Sequence, residues 1–270
     1  MNPNQALWEK GDFTRLAATM RESGEALVRK LGIKKGLKVL DLGCGDGTTA
    51  VPAAQLGADV LGIDIARNLV AAGNRRAEAL GLTNLRFRHG DACDLTEIEA
   101  QSFDRVVSIF GAMFAPRPLE VAKELVRVTR PGGQIVMGNW IPGDPTLVAE
   151  ILRISSAYAL PPPAGFVSPM KWGVESEVVE RFTSAGIPRD QITCERDGYT
   201  FDYAGSPEQF VAEFRTYYGP TMNAFDAATQ SGREHALSQE LEALFRAHNL
   251  SSDPQRTRIT ATFLRVSVDV

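Results

Sequence analysis

Residues Asp41-Leu42-Gly43-Cys44-Gly45-Asp46-Gly47-Thr48-Thr49 hold the most legible chemistry of this chain. An apolar run, Val39-Leu40, leads into three alternating glycines, which predicts a buried strand, a glycine loop and then a helix. Glycine has no Cβ and tolerates positive φ, so such a loop lets a ligand lie against bare backbone. The helix that follows offers unpaired N–H groups and the favourable end of its dipole. A nucleotide-like cofactor suits that setting. The dinucleotide fingerprint needs a third glycine, and that position is Thr48 counting from Gly43 or Ala50 counting from Gly45. A phosphate loop needs a lysine after its last glycine, and Thr48 stands there.

Two further acids close apolar runs. Asp64 ends Val60-Leu61-Gly62-Ile63, at a separation from Gly47 close to the ~20 residues expected of a ribose-binding carboxylate. It either accepts from the ribose hydroxyls or caps the helix predicted over Ala66–Ala79. Asp91 follows Leu85–Gly90, where an acid alone reads as a plain turn residue. The imidazoles that could act as a base are His89, His235 and His248. His89 reads as structural, and the other two fall on polar-looking helices. The catalytic residues therefore remain unknown at this stage.

The pattern acidic-x-G-x-G-x-G resembles motif I of the class I S-adenosylmethionine-dependent methyltransferases. Phe103–Phe110 resembles motif IV of that family, and Arg127-Val128-Thr129-Arg130-Pro131-Gly132-Gly133 with the following strand is similar to its post-motif segment. The matched segments run in family order over residues 37–140. Leu7–Phe13 and Phe110–Pro116 further resemble a bacterial small-molecule group near the ubiquinone/menaquinone-biosynthesis-type methyltransferases. The resemblance implies S-adenosylmethionine as cofactor, with S-adenosylhomocysteine as product. It implies cofactor contacts at Asp41, Gly43, Gly45, Gly47, Asp64, Ile65, Asp91, Ala92 and Ser108. Trp8 and Phe13 are expected to lie over the cofactor. Trp140, Tyr217, Tyr218 and Met113 are the acceptor-side candidates, because aromatic walls sandwich flat or cationic acceptors.

Those residues need elements to hold them. Strand and helix alternate from Val39 to Met137, which predicts a parallel sheet with helices on both faces. The resulting fold class is α/β, a Rossmann-like seven-stranded sheet with a helical cap. The resemblance implies that the last strand, read at Ile259–Val268, is antiparallel and inserted between strand five and strand six at Ile192–Tyr203. Phe13, Leu16, Ala17, Met20, Leu27, Val28 and Leu31 recur at helical spacing, with Asp12 as N-cap. Helices are also predicted over Thr146–Tyr158, Ser176–Ala185, Ser206–Tyr218, Thr221–Thr229 and Arg233–His248. The Pro161-Pro162-Pro163-Ala164-Gly165-Phe166 stretch reads as an ordered crossover or a surface loop. Three units follow: an N-terminal helical gate over 1–35, a core over 36–205 and 256–270, and a cap over 206–255.

Composition bounds the function. The net charge of −4 supplies no basic footprint for nucleic acid. Cys44, Cys93 and Cys194 lack metal-ligand spacing and are odd in number, which disfavours a disulfide framework and fits a reducing cytoplasm. Neither a signal peptide nor an apolar run long enough for a bilayer is evident. No acid cluster for Mg²⁺ is visible, so a small-molecule acceptor without a metal is expected. The sequence after strand four is Ser108-Ile109-Phe110-Gly111, which disfavours methylation of nucleic-acid bases. The expected reaction is transfer of the S-adenosylmethionine methyl group to O, N or C of a small organic acceptor by in-line displacement. The alternatives are a non-catalytic module that binds the same cofactor and a nicotinamide-dependent oxidoreductase on a similar sheet. Oligomeric state is not readable from the sequence.

Overall fold

The apolar run after Lys38 becomes the strand β1 (Lys38–Leu42), whose last four residues are buried. In this computed structural model, which describes residues 5–162 and 165–270, β1 lies between two parallel neighbours. These are β2 (Asp59–Asp64) and β4 (Phe103–Ile109). β3 (Leu85–His89) pairs outside β2, and β5 (Thr129–Trp140) pairs outside β4, both parallel. β6 (Ile192–Tyr203) and β7 (Thr257–Asp269) complete a seven-stranded sheet in the order β3-β2-β1-β4-β5-β7-β6. β7 runs antiparallel to both β5 and β6, as expected. Strand order reverses between β1 and β4, so a crevice opens beyond their carboxyl ends.

Eleven α-helices surround the sheet among the described residues. Three precede β1: α1 (Gln5–Glu9), α2 (Phe13–Ala18) and α3 (Arg21–Lys30). The core adds α4 (Ala50–Gln55), α5 (Arg67–Ala79), α6 (Pro118–Val128), α7 (Leu147–Tyr158) and α8 (Glu175–Ser184). Between β6 and β7 lie α9 (Pro207–Tyr217), α10 (Gly219–Gln230) and α11 (Glu234–His248). Ser206 and Gln209 start α9 with a reciprocal capping box. α7 packs against α10 and α11, so the helical cap draws on a segment outside the 206–255 insertion.

Two local expectations were modified by tertiary contacts. Asp12 caps α2, accepting from Thr14 N at 3.2 Å, yet the predicted long helix breaks before α3. The Thr19 carbonyl is diverted to the backbone N–H of Asp202 at 2.8 Å, and the Thr19 hydroxyl turns back to Leu16 O at 2.7 Å. Pro131-Gly132-Gly133 is not a turn ahead of strand five but an irregularity inside it. Pairing jumps from Phe103↔Thr129 to Arg105↔Gln134, and Gly132 takes φ +75° in the bulged strand. The proline-rich expectation falls partly on Pro163 and Ala164, which lie outside the described residues.

The N-terminal segment bridges core and cap. Glu9 accepts from the backbone N–H of Arg67 at 3.0 Å, serving the first turn of α5, whose N-cap Ala66 has no side chain able to do so. Lys10 reaches Asn223 and Asp226 on α10, and Asn68 donates to Gly11 O at 3.2 Å.

Candidate functional site

The crevice beyond β1 and β4 holds two small cavities, of about 80 Å³ and about 40 Å³, that share Trp8, Gly43 and Gly111. The larger is walled by Asp41, the 43–49 loop, Phe13, Met20, Phe110 and Tyr199. The smaller is walled by Ile63, Ile65, Gly90, Ala92 and Phe114. The glycine loop and the segment after β4 touch backbone to backbone between them. A Cβ on Gly111 would stand 2.3 Å from Gly43 O, so this approach requires glycine at 111. Gly43 itself sits at φ +69°.

Asp64 ties this floor together. One of its carboxylate oxygens accepts from Gly45 N at 2.8 Å and the other from Ala66 N at 2.9 Å. The helix-start reading of Asp64 is met at Ala66 N, and the same carboxylate also holds the glycine loop. Each oxygen keeps a second lone pair. Ser108 donates to Leu42 O at 2.6 Å and accepts from Ala112 N at 2.9 Å, linking β1, β4 and the 111–116 segment. Asp91 accepts from Cys93 N at 2.8 Å at the rim of the adjoining polar cleft with Arg88, His89 and Arg117.

Burial dominates the electrostatics. Asp41 is 2% exposed, its Oδ2 has no hydrogen-bond partner, and desolvation together with the charge of Asp64 pushes its carboxyl up to about 7. Asp64 is also raised by burial, against the pull of the Ala66 and Gly45 N–H groups. The Cys44 thiol is pushed well up by burial, then by the charges of Asp64 and Asp41, which makes it an inert packing group.

Several residues here carry no spacing signal in the sequence. Arg21 at the start of α3 bonds the Asp46 carboxylate and the Thr48 hydroxyl, and Arg76 on α5 donates to Asp46 O at 3.0 Å. The glycine loop is thus clamped from both flanking helices. Tyr199, on the edge strand β6, reaches the larger cavity across the sheet. Phe110 holds φ +64°, an unusual backbone for a bulky residue, and stacks on Trp140 at 3.7 Å between centroids.

The aromatic residues sort into a roof and a back wall. Trp8 meets Phe13, Phe114 and Tyr218 edge-on at 5.8, 4.9 and 5.9 Å. Of the residues singled out from the sequence, Asp41, Gly43, Gly45, Ile65, Ala92, Trp8 and Phe13 line the two cavities. Asp64, Ser108 and Gly47 lie just outside them. Gly47 gives room to the Phe87 ring instead, since a Cβ there would stand 2.7 Å from it. Trp140, Tyr218 and Met113 are buried behind the lining, and Tyr217 carries the Arg15 guanidinium over its ring at 5.5 Å. His235 is exposed and His89 and His248 half-buried, and none of the three lines either cavity.

A switch-point crevice with an alternating glycine loop, acids at or near the carboxyl ends of three strands and no third fingerprint glycine defines a class. A family model described as a methyltransferase domain matches residues 40–137. The chain belongs to the class I S-adenosylmethionine-dependent methyltransferases, and S-adenosylmethionine is its cofactor. An uncharacterized protein of Mycobacterium tuberculosis is 34% identical over 232 residues, 84% of this chain and 81% of that protein. A demethylmenaquinone methyltransferase of Geobacillus kaustophilus is 35% identical over 115 residues, 42% of this chain and 49% of the enzyme. Among solved structures, a phosphoethanolamine N-methyltransferase of Haemonchus contortus shares the fold, with a TM-score of 0.58 and 20% identity. That match covers 92% of this chain and 52% of the nematode enzyme, which was solved with phosphomonomethylethanolamine and S-adenosylhomocysteine.

Proposed function

We propose that this protein transfers the methyl group of S-adenosylmethionine to O, N or C of a small organic acceptor by in-line displacement, without a metal. One observation carries the reading: the glycine-floored crevice ends in the unpartnered Asp41 Oδ2 and is roofed by Trp8. An orphaned buried carboxylate oxygen suits a cationic ligand group, and an apolar roof suits a sulfonium shielded from water. The cofactor supplies an already activated methyl group on sulfur. The chain's part is then to orient and to exclude water, and orientation alone is worth on the order of 7–11 kcal/mol in such reactions.

In this reading the backbone of Gly43 and Gly45 faces the methionine part. Asp64 takes the ribose through its remaining lone pairs, and Asp91 with Ala92 takes the adenine. Ile65 packs beside the nucleoside, Ser108 fixes the strand ends by its two hydrogen bonds, and Gly47 admits the helix packing behind the loop. Trp8 and Phe13 close over the cofactor from a gate spanning 1–35, and the 206–255 insertion caps the acceptor side. Trp140, Tyr217, Tyr218 and Met113 form the acceptor side's back wall, which opens to an acceptor when the Phe110 ring moves off Trp140. Absence of a metal is supported by the donor groups: among the described residues no three His, Cys, Asp or Glu side chains gather as a ligand set. A cytoplasmic setting is supported by three free cysteines. Among the described residues no helix is long and apolar enough to cross a membrane.

The test is release of S-adenosylhomocysteine across a panel of phenols, amines, thiols, halides and quinol precursors. Turnover with one class assigns the acceptor atom. Tight cofactor binding with no turnover on any acceptor would favour a binding module instead.

A further inference from the structure

Tyr199 brings a phenol to the larger cavity. Its ring is 1% exposed and wedged edge-on against Phe110, Phe263 and Phe201, at 5.0, 6.1 and 6.4 Å between centroids. The residue lines the larger cavity. Buried polar groups are normally satisfied, and each exception asks for an explanation. One such exception lines the same cavity: Asp41 Oδ2, without a hydrogen-bond partner among the described residues.

The two groups are complementary. Burial raises the Tyr199 phenol, so it stays protonated and donates. The Asp41 carboxylate accepts once ionised. The charges of Arg21 and of Asp41 both act on the Tyr199 hydroxyl. Its surroundings are cleared for it, since a Cβ on Gly24 would stand 3.2 Å from the Tyr199 hydroxyl and 2.5 Å from Thr48 O. A ligand that answers both groups carries a cation and an anion on neighbouring atoms. An α-amino acid does.

We infer that Tyr199 reads the amino-acid end of the cofactor, its hydroxyl donating to the α-carboxylate while Asp41 accepts from the α-ammonium. The assignment rests on the S-adenosylmethionine reading of the crevice and extends it to a residue of the outermost strand. Tyr199 thereby makes binding depend on the carboxylate and discriminates against nucleosides that lack it.

Calorimetry with two ligands tests this. S-adenosylhomocysteine carries the amino-acid end, whereas 5′-methylthioadenosine has the same nucleoside thioether without it. Tyr199→Phe keeps the ring and its packing, so the free variant should melt at or above the wild-type temperature. It should bind S-adenosylhomocysteine about tenfold or more weakly and 5′-methylthioadenosine as the wild type does. Unchanged affinity for S-adenosylhomocysteine, or an equal loss for both ligands, overturns the assignment. A wild-type protein that binds neither ligand overturns the cofactor reading itself, and this assignment with it.

Discussion

Asp41 shows how one residue can matter for both stability and binding. Its carboxyl titrates at about 7 in the folded chain, against an ordinary value of 3.8. A raised carboxyl is a stability contribution present below pH ~4 and lost as pH climbs through the folded value. The free protein should therefore lose stability between pH 4 and pH 7, by a few kcal/mol at most, since one pKa unit is ~1.4 kcal/mol. Asp41→Asn should flatten that slope, with Asp64 contributing what remains in the same direction. Melting temperatures of the two proteins at pH 5, 6 and 7 decide it, and parallel curves would clear Asp41. Cofactor binding should also release protons near neutrality, because an ammonium beside Asp41 favours its charged form.

Among the elements, the N-terminal helices are the ones whose role is most open to test. α1 is short and has no buried residue, yet Trp8 roofs both cavities and Glu9 serves the start of α5. Segments held by few contacts are drawn from the low-stability end of a fold, as gates must be. Removing residues 1–13 should weaken S-adenosylhomocysteine binding at least tenfold while leaving the sheet's circular dichroism intact. Amide exchange in α1 and α2 should slow when ligand binds. A truncated protein that binds as the full chain does would make the segment mere packing.

For the whole molecule, the arrangement of charge and donor groups predicts metal-independent turnover. With no gathered ligand set among the described residues, chelation by excess EDTA should leave the rate within twofold. An absolute Mg²⁺ or Zn²⁺ requirement would contradict this, and with it the displacement mechanism that asks only for orientation. The helical cap is also a property of the whole fold. α7, α10 and α11 come together from either side of β6, and Arg15 on α2 meets Glu213 on α9 at 3.4 Å, so the N-terminal helices touch the helices between β6 and β7.

Local chemistry made the glycine loop and the sheet around it readable from the residues. Glycines 43, 45 and 47, the strand-ending acids and the alternation of strand and helix each act over a few neighbours, so their order along the chain already implies the sheet and the crevice. Asp12 and Ser206 likewise signal their caps within three residues. What the chain order could not disclose is whatever joins distant segments. Tyr199 enters the site only because β7 inserts between β5 and β6 and sets the edge strand's face toward α3. Gly111 owes its glycine to Gly43, a residue of another strand's loop. Arg21 finds Asp46 across a helix–loop contact, and Trp140 is hidden behind a Phe110 whose positive φ no local pattern announces. The aromatic wall of Phe110, Trp140 and Tyr199 is built from such long-range packing, whereas the glycine loop is built from near neighbours, and that difference in range is why only the second was legible.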